Sequence, residues 1–200
     1  MTYGRLCLLI VFIASSCSFQ KENTFEENLS LCRKISINSD TTDYPTDCMK
    51  GSIGPVFTTM TNRGNSVSTR PERGKAMVLY FWAATDKFTP PDFVRSDAED
   101  AAAISELYNT FHEQADFIGF PFNDSITTNR YLKTHYLPFP QAVGARAFER
   151  VEQITQFKYP FVMFISPNGR VAGISVGSLR RKNLIMKRYI PIMQACLKTE

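Results

Sequence analysis

The stretch that most constrains this chain is Gly74-Lys-Ala-Met-Val-Leu-Tyr-Phe-Trp-Ala-Ala84, a turn pair that feeds an unbroken apolar run. The run lacks the period-two alternation of a half-exposed strand, so both of its faces must be covered. A short buried helix is the competing reading. The length of the run and its Val, Tyr, Phe and Trp content favour the central strand of a helix-covered sheet. With 200 residues, 44% of them apolar, the chain suits one domain with a substantial core. Its net charge of +4, from 23 basic and 19 acidic side chains, is too modest to imply nucleic acid. The basic group Arg180, Arg181, Lys182, Lys187 and Arg188 reads as a solvated helix face, with an anionic membrane surface or partner as the alternative.

A second strong signal lies downstream. After Tyr159-Pro160 the apolar stretch Phe161 to Ile165 enters a Pro-Asn-Gly turn and returns as Val171 to Val176, a hairpin with matching turn chemistry. Between the two signals, Ile104, Leu107, Tyr108 and Phe111 mark one face of a long helix. Its start is rich in acid, with Asp92, Asp97, Glu99 and Asp100 near the positive end of the dipole, and Pro90 or Pro91 fits its first turn. A second core strand is expected within 116–124 and a short helix over 127–136. Ala145, Phe148, Val151 and Ile154 suggest one helix across 141–157. A last amphipathic helix from Leu179 offers Leu184, Ile185, Ile192, Met193 and Cys196 to the core, with Pro191 kinking or dividing it. Ahead of the central run, Ile53 to Thr61 and Ser66 to Ser68 read as a hairpin about Gly64.

The N-terminus has the grammar of an export signal. Arg5 precedes the apolar run Leu6 to Ala14, and Ser15, Ser16 and Cys17 follow; the run is too short to span a bilayer. Ile13-Ala-Ser-Ser-Cys17 resembles a bacterial lipobox, which implies lipidation of Cys17. A plain secretory signal cut near Ser16 is the alternative. Residues 1–16 are therefore assigned to a signal peptide and 17–52 to a lipidated tether and irregular extension. The folded domain is placed at 53–200. Cys32 and Cys48, 16 residues apart in a polar, turn-rich segment, suit a disulfide that stabilises by about 3 kcal/mol on the loop-entropy model. Two free thiols, or a pairing with Cys196, are the competing readings. Cys196 sits on an apolar stripe and reads as a buried small hydrophobe.

Gly74-Lys75 ahead of Phe81-Trp82-Ala83, with Tyr159-Pro160 ahead of a hairpin, resembles the thioredoxin-like superfamily. The branch is that of the redoxins and cell-envelope thiol oxidoreductases, including the alkyl hydroperoxide reductase and thiol-specific antioxidant proteins. The resemblance covers about residues 53–196. It implies an α/β fold with a central mixed β-sheet flanked by helices, an N-terminal β-hairpin extension, and a cis Pro160 facing the active site. It also implies two thiols just after Phe-Trp-Ala. Counting directly places them at Asp86 and Thr89; allowing a short insertion places them at Thr89 and Asp92. Neither register contains sulfur, and a carboxylate or hydroxyl cannot exchange with a disulfide.

The reading from sequence is thus a non-catalytic, thioredoxin-like envelope lipoprotein. It would bind a protein or peptide partner in a groove formed by Thr85, Asp86, Phe88, Thr89, Tyr159, Pro160 and Phe161. Phe88 and Tyr159 either stand exposed as apolar anchors or pack under the loop and close the groove. The lack of Cys-x-x-Cys and of a peroxidatic cysteine argues against an enzyme. The alternative is a thiol–disulfide oxidoreductase of the redoxin type with a relocated cysteine, for which Cys48 is the candidate. No cofactor or metal is expected: His112 and His135 read as capping or surface residues without ligand spacing. The membrane is reached through an N-terminal lipid, and the expected location is the cell envelope, with a soluble periplasmic or secreted form as the alternative.

Overall fold

The computed structural model describes residues 23–37, 45–72, 74–85, 89–143, 151–156, 158–178 and 181–198. The central apolar run is strand β3 (Ala76–Trp82), below with its neighbours β4 (Ala115–Pro121), β6 (Phe161–Ile165) and β7 (Val171–Val176). Their order is β4-β3-β6-β7, with β3 parallel to β4 and antiparallel to β6, and β6 antiparallel to β7. This is the expected mixed sheet. A smaller sheet, β2-β1-β5, joins β1 (Thr58–Thr61) to β2 (Ser66–Ser68) and to β5 (Ala142–Val143). The hairpin expected before the central strand is β1 and β2.

Burial on β3 explains its sequence. Val78, Tyr80 and Trp82 point to one side, where α2 (Pro91–Phe111) and α5 (Lys182–Leu197) cover them with Ile104, Leu107, Ile185, Tyr189 and Met193. Met77, Leu79 and Phe81 point to the other side, against α1 (Phe25–Ile37) and a helical segment, α4, described over 151–155. Every residue of the strand is buried. Alternation is absent because the side chains alternate between two apolar layers rather than between core and water.

Three expectations change. The segment assigned to a tether holds α1, whose Phe25, Leu29 and Cys32 recur at helical spacing and are all buried. Its start is a reciprocal cap. Thr24 Oγ1 accepts from Glu27 N–H at 3.2 Å, and Glu27 Oε2 accepts from Thr24 N–H at 2.7 Å. The helix expected from residue 141 does not begin there: Ala142 and Val143 pair with Thr61 and Met60 in β5. Ala145 and Phe148 lie outside the described residues, whereas Val151 and Ile154 are buried as expected. The last helix runs unbroken through Pro191, with Leu184 exposed rather than in the core.

Gln141 ties the two sheets together. Its Oε1 accepts from Trp82 Nε1 at 3.0 Å, its Nε2 donates to Phe139 O at 2.9 Å, and its backbone exchanges hydrogen bonds with Asn62. The amide lies against Gly119, where a Cβ would overlap it. Glycine at this strand position is thus required by close approach.

Candidate functional site

The first candidate site is the end of the sheet that the family resemblance singles out. The β3 chain leaves Trp82 through Ala83, Ala84 and Thr85, and α2 begins at Pro91 after the capping position Pro90. The Phe93 and Val94 N–H groups both reach Pro90 O, closing the first turn. Across from this turn the Tyr159–Pro160 peptide bond is cis. Pro160 O accepts from Gly177 N–H at 2.8 Å, and Asn123 holds both the N–H and the carbonyl of Ala84. These bonds fix the walls of a cavity of about 420 Å³.

Thr85, Thr89, Tyr159 and Pro160 line that cavity together with Asp92, and Phe93 stands exposed on its rim. Phe161 does not line it. The ring is fully buried on the other side of the sheet, edge-on to Phe81 at 5.5 Å. Asp86 and Phe88 lie outside the described residues. Tyr159 is half-buried and packs against Phe122 at 5.0 Å.

Two residues from the acid-rich start that the sequence assigns to the long helix define the cavity's chemistry. Asp97 and Asp100 both line it, together with Ser178. Thr85 Oγ1 donates to Asp97 Oδ2 at 3.1 Å. Burial pushes the Asp97 carboxyl above its ordinary pKa, against the nearby Tyr131 hydroxyl and the hydrogen bond from Thr85. Asp100 is 3% exposed, and its Oδ1 has no hydrogen-bond partner. Burial, helped by the charges of Asp97 and Glu99 and opposed by a hydrogen bond from Ser178, raises Asp100 to about 7. Tyr131, tilted against Trp82 with ring centroids 4.8 Å apart, has its hydroxyl buried near Asp97 without closing a hydrogen bond of good geometry. The signal for these acids was present in the spacing: Asp100 lies one turn from Ile104 and Ala103, on the apolar face of α2.

The second candidate site is sulfur. Cys32 and Cys48 are bonded, with their Cα atoms 5.7 Å apart. Cys32 is buried among Phe25, Leu29 and Met49 beneath α1, and Cys48 is exposed on a turn. That turn is clamped to the start of β7. Gly51 N–H donates to Val171 O and Val171 N–H to Ser52 O, each at 2.8 Å, and Arg170 Nη1 donates to Gly51 O. The pairing registers show where this lies. Phe161 beside Pro160 pairs with Val176, whereas Ile165 pairs with Val171, so the cystine's turn joins the opposite end of the hairpin. Four residue steps of strand, roughly 13 Å, separate the two ends. The remaining described cysteine, Cys196, is fully buried, and burial pushes its thiol up to about 12.

The bonded pair corrects the sequence reading. No cysteine lies between Phe81-Trp82-Ala83 and Asp92. A cystine with one accessible residue is nonetheless present, so the view of a scaffold stripped of reactive sulfur, and with it the argument against an enzyme, does not stand. The pair was expected as a staple, and its exposure was not legible. His112 and His135 are the C-capping residues of α2 and of α3 (Ser125–Thr134). Among the described residues no cluster of His, Cys, Asp and Glu could hold a metal ion.

Comparison with solved structures decides the architecture. The chain superposes on a thiol:disulfide interchange protein of the thioredoxin family from Chlorobium tepidum with a TM-score of 0.53, at 22% identity, covering 74% of this chain and 97% of that one. A thiol:disulfide interchange protein from Bacteroides sp. gives 0.54 at 18% identity, covering 71% and 90%. The thioredoxin domain of a thiol-disulfide oxidoreductase from Bacteroides vulgatus gives 0.52 at 19%, covering 70% and 96%. The fold is thioredoxin-like. No family model matches the sequence. Among curated proteins, the chain is 26% identical over 137 residues to a chloroplastic peroxiredoxin Q from Gentiana triflora, covering 68% of this chain and 54% of that protein. It is 31% identical over 91 residues to one from Triticum aestivum, covering 45% and 39%. The chain thus spans about half the length, or less, of these two relatives.

Proposed function

We propose that this thioredoxin-like protein is a thiol–disulfide oxidoreductase whose exchangeable pair is Cys32–Cys48. The observation that carries the proposal is the asymmetry of the cystine: Cys48 is exposed and Cys32 is 4% exposed. Exchange proceeds by attack of a thiolate on one sulfur of a disulfide, and access selects which sulfur is attacked. A partner thiolate attacks Cys48 Sγ, the Sγ–Sγ bond breaks, and Cys32 leaves as a thiolate that takes up a proton. The partner's second thiol then attacks the mixed disulfide and releases Cys48. The partner dithiol is oxidised to a disulfide by two electrons, and the cystine is reduced to two thiols. The reverse sequence reduces a partner disulfide. Solved neighbours described as thiol:disulfide interchange proteins, and relatives described as peroxiredoxins, support redox chemistry for this chain.

The substrate class is then a polypeptide dithiol or disulfide in an exported compartment. Export is supported by the Arg5, Leu6–Ala14, Ser15–Cys17 pattern and by the presence of a cystine, which belongs to oxidising surroundings. The lipobox-like ending favours anchoring through a lipid on Cys17. No helix among the described residues is long and apolar enough to cross a membrane. Mass analysis of the mature N-terminus checks this: a lipidated Cys17 is expected, and a free Ser or Cys there would leave a secreted soluble form.

Insulin reduction with dithiothreitol tests the activity. The wild-type chain should accelerate insulin precipitation, and C32S and C48S should each fall to the rate of dithiothreitol alone. A wild-type rate equal to that background contradicts the proposal.

A further inference from the structure

The cavity beside Pro160 is left unused by exchange at Cys48. It has apolar walls in Ala84, Phe93, Tyr159 and Pro160, and two carboxylates, Asp97 and Asp100, deeper in. None of its described lining residues is basic; Asp92 on the rim is ion-paired with Arg95 at 3.2 Å. Asp100 is nine-tenths and more buried, and its Oδ1 lacks any partner. A buried acceptor of this kind carries a desolvation cost that a donor entering the cavity would relieve. Metal ligation does not fit, because no group of acids, histidines and cysteines among the described residues is arranged to hold an ion.

We infer that this cavity binds an aliphatic primary ammonium group, its hydrocarbon stem along Phe93, Tyr159 and Pro160 and its charge at Asp97 and Asp100. An ammonium brings three donors and a compact positive charge, which matches two carboxylates with an unsatisfied oxygen. The stem needs an apolar channel, which the walls supply. A cavity of about 420 Å³ is roomy for a butylammonium-sized group and leaves space for its attachment to a larger molecule. The source of the group is either a small free amine or the lysine side chain of a polypeptide. The inference goes beyond the redox reading and does not depend on it.

Binding should follow pH. Asp100 must ionise to pair with the ammonium, and the groups that act on it are Asp97 and Glu99 on α2, Tyr80 on β3, Tyr131 on α3, Tyr189 on α5 and Ser178. The tyrosines are all pushed upward and stay neutral, so Asp100 and its acidic neighbours, with His135 acting on Asp97, set the profile.

Titration calorimetry on the full chain with n-butylamine, and separately with Nα-acetyl-lysine methylamide, tests the inference. Saturable binding is expected, tightening about tenfold between pH 5.5 and pH 8 and weakening at least tenfold in D100N. D97N, at a half-buried position that tolerates the change, should weaken it severalfold and serves if D100N fails to fold. n-Butanol and Nα,Nε-diacetyl-lysine methylamide, which lack the charge, should not bind. Tighter binding of the lysine derivative identifies a polypeptide source, and equal or tighter binding of butylamine a small amine. The C32S/C48S double variant should bind as the wild type does, which separates this outcome from failure of the exchange reading. No saturable binding of either amine at 20 mM, equal binding of the uncharged probes, or unchanged affinity in both Asp variants overturns the inference.

Discussion

The two ends of the β6–β7 hairpin contrast in what they hold. At the Pro160 end a helix start, a cis-proline and a cavity come together around carboxylates. At the Val171 end, on the turn that precedes the hairpin sheet, lies a cystine with one exposed and one buried residue. A helix N-terminus favours an anion, and in a thiol enzyme the anion is the thiolate. Here Asp92 occupies the first turn of α2, Asp97 and Asp100 follow in its second and third turns, and burial drives Asp100 toward its neutral form. On the proposal that Cys32–Cys48 exchanges, this chain separates its cis-proline end from its reactive sulfur. Position in a fold then does not assign chemistry; the side chains present do.

The largest break in the comparison should come from Cys48→Ser. Exchange activity is expected to fall by two orders of magnitude or more, and the protein to lose roughly 3 kcal/mol of stability, from the loop of 16 residues that the bond closes. Insulin reduction and denaturant unfolding measure the two effects. Amine binding at the other end should not change.

The next effect concerns Asp100. Its folded pKa of about 7 lies above the ordinary 3.8, so between those values the folded chain holds a proton that the unfolded chain releases. Stability therefore falls as pH rises from about 4 to about 7 and levels off above. Asp100→Asn should flatten that slope and raise stability at pH 8 by about 2 kcal/mol, read from urea midpoints at several pH values. An unchanged pH profile would mean that the carboxylate is solvated.

The smallest effect should come from Cys196. It is fully buried in the layer under α5 with a thiol pushed up to about 12. Cys196→Ala should cost about 1 kcal/mol and leave exchange untouched. In the native protein a maleimide should label reduced Cys48 well before Cys196.

Much of the fold was legible because the chain repeats its message locally. The run Ala76 to Trp82 announces a strand buried on both faces, and Pro167-Asn168-Gly169 announces the hairpin that it pairs with. The helix α1 was legible too, in Thr24, Glu27 and the spacing of Phe25, Leu29 and Cys32, but the polar residues between them masked it. Strand β5 was not: Ala142 and Val143 are extended because Met60 and Thr61 lie beside them, a contact across some eighty residues. The site was half legible. Thr85, Tyr159 and Pro160 follow from the resemblance, whereas the burial of Asp100 depends on how α2 lies against β3 and Ser178. Local acidity reads as a solvated helix start until that packing is known.

The most direct test of an exchangeable Cys32–Cys48 pair is a redox titration of the native full chain in glutathione buffers, quenched by alkylation and read by mass. The account predicts that the pair opens and closes as a two-electron unit without unfolding, with glutathione captured on Cys48 when Cys32 is replaced by serine. A cystine that stays closed at every glutathione ratio until the protein unfolds would contradict it and leave the bond as a staple between α1 and the turn before β1.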